Sequence, residues 1–408
     1  MASQLPDGLA MPLNGALPST VGVGALGKTM SAYVHIPFCR VRCGYCDFNT
    51  YTATELRGVS RASYVEELKK EIALSIDVLQ RADVSLRPLH TVFFGGGTPT
   101  LLPVSDLADV LQALRGSHGI EPEAEITVEA NPDTLTAEYV DGLVRAGFTR
   151  VSVGMQSAVP HVLSALDRTH NPAAVDQAVS TIHSAGLEAS IDLIYGAPGE
   201  SLTDWRRSLE QAISLNTGHI SAYALIVEDG TALARKISSG AMDAPDDDLQ
   251  AEMYELADEL LSKAGFQWYE ISNWAKSQQQ QSQHNLAYWN NQDWWGYGPG
   301  AHSAIGGTRF WNVKHPAAYA GRLAEAHSPA LSYETPDQQA VTLEQVLLGS
   351  RLAAGIPNQG HDPQAISTLI ARGLIDGKRA IEGRIVLTLS GRLRADEVVR
   401  ELLFRSQD

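Results

Sequence analysis

Short runs of β-branched and aromatic residues alternate with longer amphipathic segments from Ser31 onward. The short runs predict strands. The longer segments predict helices because apolar side chains recur every three or four residues, as at Tyr64, Leu68 and Ile72. The predicted strands are Tyr33–Ile36, His90–Phe94, Glu125–Glu129, Arg150–Gly154, Ala189–Ile194 and Ile220–Leu225. The predicted helices are Arg61–Arg81, Ser105–Arg115, Thr136–Arg145, Pro172–Ala185 and Leu202–Leu215. Repeated strand–helix units of this kind predict an α/β fold with a parallel sheet, closed or partly closed into a barrel.

The pattern changes along the chain, and it predicts four parts. Residues 1–30 are rich in Gly, Pro, Ser and Ala, which predicts a flexible leader. Residues 31–270 are predicted to form a partial (β/α)6 TIM-like barrel, and the aromatic, glycine-rich residues 271–335 to complete its core. Residues 336–408 contain helical segments around an alternating, hairpin-like stretch at Arg379–Leu389. This order predicts a small α+β domain that resembles a winged helix.

Composition and charge argue against several classes of partner and location. Apolar residues make up 44% of the 408 residues and charged residues 19%, an ordinary globular balance. The formal net charge of -16 and the lack of a Lys or Arg run argue against nucleic acid or an anionic membrane as a partner. No stretch approaches the roughly 20 apolar residues of a membrane-spanning helix. No basic residue precedes Lys28, so a signal peptide is not expected and the protein is predicted to be cytoplasmic.

All three cysteines lie within eight residues, at Cys39, Cys43 and Cys46, with the spacing CxxxCxxC. An odd, clustered set does not suit a disulfide framework and predicts metal binding in a reducing compartment. Three thiolates can hold a [4Fe-4S] cluster and leave its fourth iron without a protein ligand. The alternative is structural zinc, which needs a fourth ligand that His35 could supply. The spacing favours the cluster.

Polar residues mark the ends of several predicted strands. The run Phe94-Gly-Gly-Gly-Thr-Pro99 follows the second strand, where it is either a ligand-binding loop or simply a tight strand–helix connection. Glu129, Gln156 and Asp192 end the third, fourth and fifth strands or follow directly after them. One such residue would suit helix capping. Three at successive strand ends predict a shared polar cleft at one edge of the sheet.

The segments Tyr33-Val-His-Ile-Pro-Phe-Cys39 and Cys43-Gly-Tyr-Cys46-Asp-Phe48 resemble the radical SAM proteins related to oxygen-independent coproporphyrinogen III oxidase. The resemblance extends from about Tyr33 to the C-terminus. It implies a [4Fe-4S] cluster whose open iron binds S-adenosylmethionine and can reduce it to a 5′-deoxyadenosyl radical. Tyr45 would pack against the adenine. The residues implied to contact S-adenosylmethionine are Tyr33, Tyr45, Gly97, Thr98, Glu129, Gln156, Arg168, Asp192 and the backbone near Ala224.

The motif His284-Asn285-Leu-Ala-Tyr288-Trp289, or HNxxYW, resembles the heme-chaperone branch of this family rather than the oxidase itself. Its flat aromatic rings could stack on a macrocycle, and its imidazole could ligate iron. A second histidine, His302, follows a glycine-rich turn. Taken alone, each histidine is more often a hydrogen-bonded structural residue, so the iron ligand stays open. The candidate heme-binding residues are His284, Asn285, Tyr288, Trp289 and His302.

Two departures from the oxidase weaken the case for porphyrinogen decarboxylation. Phe48 occupies the position of a further cysteine in the oxidase, and residues 1–30 lack its recognisable N-terminal segment. We therefore expect a heme chaperone that transfers heme to an acceptor, such as a respiratory protein, with flavodoxin or ferredoxin as electron donor. Its S-adenosylmethionine could act as a switch without turnover. The alternatives are coproporphyrinogen III oxidase, which decarboxylates propionates through the radical, and a radical enzyme with another substrate.

Overall fold

A computed structural model describes residues 7–52, 55–56, 59–168 and 171–404 of the chain. Its strands are β1 Leu9–Ala10, β2 Met30–Ile36, β3 Glu55–Leu56, β4 Val59–Ser60, β5 Leu89–Gly96, β6 Ile120–Ala130, β7 Arg150–Gln156, β8 Glu188–Tyr195, β9 His219–Ala224, β10 Gln267–Glu270, β11 Asn273–Ala275, β12 Asp293–Tyr297, β13 His302–Ile305, β14 Thr308–Asn312, β15 Ala330–Glu334, β16 Ile356–Pro357 and β17 Arg384–Ile385. Its α-helices are α1 Val21–Gly24, α2 Arg61–Arg81, α3 Val104–Ser117, α4 Ala137–Ala146, α5 Pro160–Ala165, α6 Pro172–Ser184, α7 Leu202–Ser214, α8 Ala232–Ser238, α9 Asp247–Lys263, α10 Gln283–Trp289, α11 Pro316–Ala324, α12 Gln338–Gly349, α13 Pro363–Ala371, α14 Gly377–Ile381, α15 Leu389–Leu393 and α16 Ala395–Phe404.

The centre of the fold is the predicted parallel sheet, in which β2, β5, β6, β7, β8 and β9 are consecutive neighbours. Every predicted strand is confirmed, with ends shifted by a few residues. The predicted helices are confirmed as α2, α3, α4, α6 and α7. Local capping explains where these helices begin and end. The side chain of Ser60 caps the start of α2, and Gly147, at φ +96°, ends α4. Because these strands are parallel, their carboxyl ends lie along one edge of the sheet.

The aromatic segment adds strands to this sheet. β12 pairs in parallel with β2, with Trp295 opposite Ala32, and β13, β14 and β15 continue as an antiparallel meander. On the far side, β11 and β10 follow β9, which gives a 13-stranded sheet. Its edge strands β1 and β10 do not pair with each other among the described residues, so the described sheet is an open, mixed one rather than a closed barrel.

The described part of the predicted leader is folded, so the prediction of a flexible segment is wrong for residues 7–30. β1 pairs with β15, and Val21 of α1 is fully buried in the main core. A methyl group on Gly24 would lie only 2.1 Å from the carbonyl oxygen of Gly306, which shows how closely the two backbones pack. The contacts that hold this segment are made with residues about 300 positions away in the chain, so the composition of the segment alone does not reveal them. Residues 1–6 lie outside the described part.

The last part of the chain has a hydrophobic cluster of its own, which includes Leu369, Leu374, Ile385 and Val398. Its helices α12, α13 and α16 agree with the prediction, but the hairpin predicted at Arg379–Leu389 is not formed.

The start of that stretch is helical instead. The side chain of Asp376 accepts hydrogen bonds from the backbone N–H groups of Lys378 and Arg379 and thereby caps α14. β17 pairs with the distant strand β16, with Ile385 opposite Ile356. The limits of this domain and its likeness to a winged helix stay predictions. Among the residues described, every helix is too short or too polar to cross a lipid bilayer.

Candidate functional site

A cavity of about 610 Å³ opens at the carboxyl edge of the parallel sheet, and we call it the cofactor cavity. The structure brings every predicted cluster and S-adenosylmethionine residue to its walls. These residues are Tyr33, Cys39, Cys43, Tyr45, Cys46, Gly97, Thr98, Glu129, Gln156, Arg168, Asp192 and Ala224. They come from six strands, β2 and β5 to β9, and the loops that follow them, because the carboxyl ends of parallel strands lie at one edge of the sheet.

The three cysteines are free thiols at one side of this cavity. The guanidinium of Arg168 donates to the sulfur of Cys43 over 3.5 Å and to the carbonyl oxygen of Gly154 over 3.1 Å. Burial raises the pKa of the Cys46 thiol to about 11 and also raises that of Cys39. Both thiols therefore need the positive charge of bound iron to ionise at neutral pH.

The zinc alternative fails at its fourth ligand. His35 is buried, and its Nε2 lies 3.0 Å from the carbonyl oxygen of Asn49, so this nitrogen carries the proton and donates it. Nδ1 lies 3.0 Å from the hydroxyl of Tyr33 and accepts from it. Burial lowers the pKa of His35 to about 4, which keeps the ring neutral. Both ring nitrogens are thus committed to protein partners.

The thiol arrangement also differs from that of a single-ion site. In the part of the chain that the structure describes, no three His, Cys, Asp or Glu side chains are grouped so as to hold one metal ion. A cubane makes no such demand, because each of the three thiolates binds a different iron. The donor set fits a cluster with an open iron. It consists of Cys39, Cys43 and Cys46, which lie around one cavity beside the cationic Arg168.

The glycine loop after β5 packs against the cysteine segment. The backbone N–H groups of Gly97 and Thr98 donate to the carbonyl oxygens of Ile36 and Phe38 over 2.7 and 2.8 Å. A methyl group on Gly97 would lie 2.5 Å from the oxygen of Phe38, the residue before Cys39. The loop is therefore more than a tight connection. It fixes the backbone that carries the first cysteine while lining the cavity itself.

Two half-buried carboxyl groups, those of Glu129 and Asp192, face the same cavity. Glu129 accepts a hydrogen bond from the N–H of Gly96 at 3.0 Å, and burial, reinforced by nearby Asp192, raises its pKa to about 7. The two oxygens of Asp192 accept from the hydroxyls of Ser221 and Ser152 at 2.8 and 2.7 Å. Burial raises the pKa of Asp192 as well. When ionised, this pair favours a cationic ligand such as a sulfonium.

Several buried polar atoms around the cavity have no hydrogen-bond partner among the described residues: Oε1 of Gln156, Nε of Arg168 and Oγ1 of Thr127. Gln156 also adopts φ +56°, an unusual backbone conformation for a residue with a side chain. Unsatisfied buried groups and local strain occur together where a protein is built to hold a polar ligand. These residues therefore fit S-adenosylmethionine, which offers ribose hydroxyls, an amino group and a carboxylate.

The HNxxYW motif lies within α10, and its residues His284, Asn285 and Tyr288 line this cavity. Nδ1 of His284 lies 2.7 Å from Oγ1 of Thr91, and its Nε2 lies 2.8 Å from the hydroxyl of Tyr288. The imidazole stacks on Phe93 with ring centres 5.1 Å apart, and burial lowers its pKa to about 3. His284 is a hydrogen-bonded structural residue in this arrangement. The side-chain amide of Asn285 donates to Glu270 over 3.1 Å, which anchors the same helix.

A second cavity of about 1180 Å³ adjoins the first, and we call it the aromatic cavity. Trp289 and His302 line it, whereas His284 does not. His302 is exposed, and its ring stacks on Trp311 with centres 5.8 Å apart. The wall common to both cavities consists of Tyr33, Asp47, Phe48, Asn285 and Tyr288.

Comparisons with known proteins agree with this architecture. Residues 33–212 match the family model of the Radical SAM superfamily. A heme chaperone HemW from Mycobacterium tuberculosis H37Rv is 46% identical over 381 residues, which cover 92% of this chain and 95% of the relative. The heme chaperone HemW from Bacillus subtilis is 34% identical over 383 residues, 90% of this chain and 97% of that one. The chain belongs to the HemW family.

Membership of the HemW family confirms the predicted radical SAM resemblance, and with it a [4Fe-4S] cluster and S-adenosylmethionine as cofactors. A solved structure of coproporphyrinogen III oxidase (HemN) from Escherichia coli aligns with a TM-score of 0.78 over 95% of this chain and 92% of that one. At 20% identity this likeness shows the fold alone, and it confirms the predicted radical SAM fold class.

Sequence reasoning missed the floor of the cofactor cavity in this HemW family member. Four residues from the first half of strands β7, β8 and β9 line it: Arg150, Ser152, Ser190 and Ser221. The guanidinium of Arg150 donates to the carbonyl oxygen of Gln280 over 3.0 Å. A signal was available, because polar residues at alternate positions of an otherwise apolar strand share one face. The prediction considered only the residues at strand ends and therefore did not include these four.

Proposed function

We propose that this HemW family protein binds heme in the aromatic cavity, beside its radical SAM centre, and passes the heme to an acceptor protein. The observation that carries the proposal is the wall common to the two cavities. Tyr33 and Tyr288 each line both, so a macrocycle in the aromatic cavity and S-adenosylmethionine in the cofactor cavity would lie on opposite sides of the same side chains. The curated relatives in several bacteria carry the name heme chaperone HemW.

In the cofactor cavity, Cys39, Cys43 and Cys46 would ligate the cluster. The reduced cluster supplies one electron to the sulfonium of S-adenosylmethionine when both are bound. Arg168, already in contact with Cys43, places a positive charge beside the ligating sulfur and would favour the carboxylate of the ligand. The unpaired amide oxygen of Gln156 would accept a hydrogen bond from the ligand.

Glu129 and Asp192 would bind the ribose hydroxyls of S-adenosylmethionine and stabilise its positive charge. An ionised carboxylate accepts hydrogen bonds from ribose hydroxyls and stabilises a nearby sulfonium, whereas a neutral acid does both less well. Ser152 and Ser221 already bind Asp192 and hold it in one orientation. Glu129 is held on only one side by the N–H of Gly96, which leaves its other oxygen for the ligand.

The pKa of Glu129 near 7 predicts that S-adenosylmethionine binding weakens in acid. Only the ionised form binds well, so the affinity is nearly complete at pH 8, falls to about half at pH 7 and declines further in acid. Between pH 8 and pH 6 we expect Kd to rise about tenfold, as one titrating group of this pKa requires. Equilibrium dialysis of the reconstituted protein with labelled S-adenosylmethionine measures the change.

A matched control exists for this pH profile. Glu200 is another buried carboxyl group whose pKa burial raises to about 7, but it does not line the cofactor cavity. Glu129→Gln should weaken binding at pH 8 and remove the pH dependence, whereas Glu200→Gln should keep the wild-type profile. A pH dependence that survives Glu129→Gln would assign it to another group.

We also propose a location and partners for the protein. We expect the protein to act in the cytoplasm, to accept electrons from flavodoxin or ferredoxin, and to deliver heme to a protein such as a respiratory enzyme. Phe48, at the mouth of both cavities, is 56% exposed and offers an apolar contact for such a partner. The net charge of -16 favours a partner that presents basic residues.

Titration with hemin tests the main proposal. The anaerobically reconstituted protein should take up one equivalent of heme with a shifted Soret band, and should then release it to an apo-acceptor protein. Absence of stoichiometric uptake would overturn the proposal. Incubation with coproporphyrinogen III, S-adenosylmethionine and reductant tests the enzyme alternative, because formation of protoporphyrinogen with 5′-deoxyadenosine would show an oxidase instead.

A further inference from the structure

We infer that His302 is the protein ligand of the heme iron and that His284 positions the wall between the cavities without binding iron. This inference rests on the proposed heme-binding function and deepens it by naming the ligand. It also separates the two histidines that the sequence left equivalent.

The aromatic cavity has the size and chemistry of a macrocycle site. Its volume of about 1180 Å³ lies just above the range of roughly 300–1,000 Å³ found for small-molecule pockets, as a ligand the size of a macrocycle requires. Trp289 and Trp294 line one part of it, and Val341, Leu347 and Leu348 from α12 line another. Flat aromatic rings opposite aliphatic side chains suit an apolar, planar ligand.

Cations at this cavity suit the two carboxylates of heme. Lys28, Arg309 and Lys314 all line it, and of these Lys28 is already paired with Asp293 over 3.4 Å and Arg309 with Glu334 over 3.0 Å. Arg309 is paired with Glu344 of α12 over 2.6 Å, which ties that helix across the cavity. Partial burial lowers the pKa of Lys314, so an anion placed beside its ammonium group would be stabilised. A propionate is such an anion.

The ring nitrogens of His284 are already in use. Thr91 donates its own hydroxyl to Ser31 at 2.8 Å, so its oxygen accepts the Nδ1 proton of His284. Nε2 of His284 then accepts from the hydroxyl of Tyr288. Iron binding at either nitrogen would break one of these buried hydrogen bonds and leave its partner group unpaired. The ring also faces the cofactor cavity rather than the aromatic one.

His302 is in the opposite situation. Its ring lines the aromatic cavity, and within the described ranges no residue hydrogen-bonds to its imidazole nitrogens. Stacking on Trp311 holds the plane of the ring while leaving its edge open. His35 also lines this cavity, but its two nitrogens are bound to Tyr33 and Asn49.

The remaining role of the HNxxYW motif follows from its contacts. His284 fixes the hydroxyl of Tyr288, and the Tyr288 ring packs edge-on against Trp294 with centres 4.7 Å apart. Tyr288 is part of the wall common to both cavities, and Trp289 faces the heme side. His284 is therefore a positioning residue whose loss should alter heme affinity without changing the iron ligand.

Hemin and iron-free protoporphyrin IX, titrated into the full-length reconstituted protein, test the assignment. The wild type should bind hemin at least about tenfold more tightly than the iron-free porphyrin, because only hemin forms the iron–imidazole bond. His302→Ala should lose this preference and shift the Soret maximum, and added imidazole should restore both. His284→Gln should keep the wild-type Soret maximum even if its hemin affinity falls. Exposed His183 supplies the control, since His183→Ala should change neither quantity.

The outcomes separate this inference from the proposed function. Failure of the wild type to take up hemin would overturn the heme-binding function itself. A wild type that binds hemin, with His302→Ala unchanged in Soret maximum and in preference over the iron-free porphyrin, would overturn only the assignment of His302. Loss of the Soret signature in His284→Gln, with rescue by imidazole, would assign the iron to His284 instead.

Discussion

Replacing Gly97 by alanine is expected to abolish S-adenosylmethionine binding and to lower the cluster content of the protein. The added methyl group would lie 2.5 Å from the carbonyl oxygen of Phe38 and 2.8 Å from that of Ile36. Both neighbours are backbone atoms, so no side chain can rotate away. The loop must move, and its hydrogen bond from the Gly97 N–H to Ile36 is lost with it. Overpacking of this kind costs about 3 kcal/mol. We expect S-adenosylmethionine affinity to fall at least about 100-fold, the factor that such a cost corresponds to.

Gly116 provides the matched control. It lies within helix α3, and a methyl group there would meet no atom within 4 Å. Gly116→Ala should therefore keep both cofactors and should raise stability by about 0.5–1 kcal/mol, since alanine favours a helix interior more than glycine does. Iron content, absorbance near the cluster band and equilibrium dialysis measure the effects. Full cofactor loading of Gly97→Ala would show that the loop is free to shift.

Replacing Asn49 by aspartate is expected to weaken heme binding about tenfold and to lower the free energy of unfolding by about 2 kcal/mol. The side-chain amide of Asn49 donates to the carbonyl oxygens of Pro299 and Lys314 over 3.0 and 2.8 Å. Its backbone carbonyl accepts from His35. This residue thus joins the cysteine segment to the turn that precedes His302. A carboxylate has no proton to donate and would repel both carbonyl oxygens.

The same substitution at Asn171 serves as its control. Oδ1 of Asn171 accepts from the N–H of Ala173 at the start of α6, a position where aspartate caps equally well. Asn171→Asp should leave heme affinity and stability unchanged. Hemin titration and chemical denaturation report the two quantities for both variants. Equal hemin affinities in the Asn49 and Asn171 variants would mean that the turn before His302 holds its shape without the Asn49 bridge.

The sequence predicted the features that depend on neighbours in the chain. The spacing of Cys39, Cys43 and Cys46 is a local property, and so is the position of Glu129 or Asp192 near the end of an apolar run. Because parallel strands end at one edge, these local facts also predicted that the residues would meet around one cavity. The structure brings all of them there. The same holds for α2, whose apolar periodicity and capping serine lie within its own segment.

Features that depend on distant pairing could not be read in this way. Residues 7–30 look like a leader by composition, yet β1 has its partner in β15, more than 300 positions later. The alternating stretch after Arg379 suggested a hairpin, but Asp376 caps a helix at its start and β17 pairs with β16. The pairings of β1 and β17 are tertiary contacts that no local pattern reveals, whereas the Asp376 cap is a local signal that the alternation after Arg379 obscured.

By itself, the sequence determined the chemistry: a cysteine set with an open coordination position, carboxylates and an amide at successive strand ends, and two histidines near aromatic residues. Only the tertiary structure decided which of these groups are free to bind a ligand. His35 and His284 are occupied because hydrogen-bond partners from other elements reach both nitrogens of each ring. His302 faces a cavity because β12, β13 and α12 meet around it. Availability is set by packing between distant segments, and that is why a residue's type and its neighbours in the chain do not reveal it.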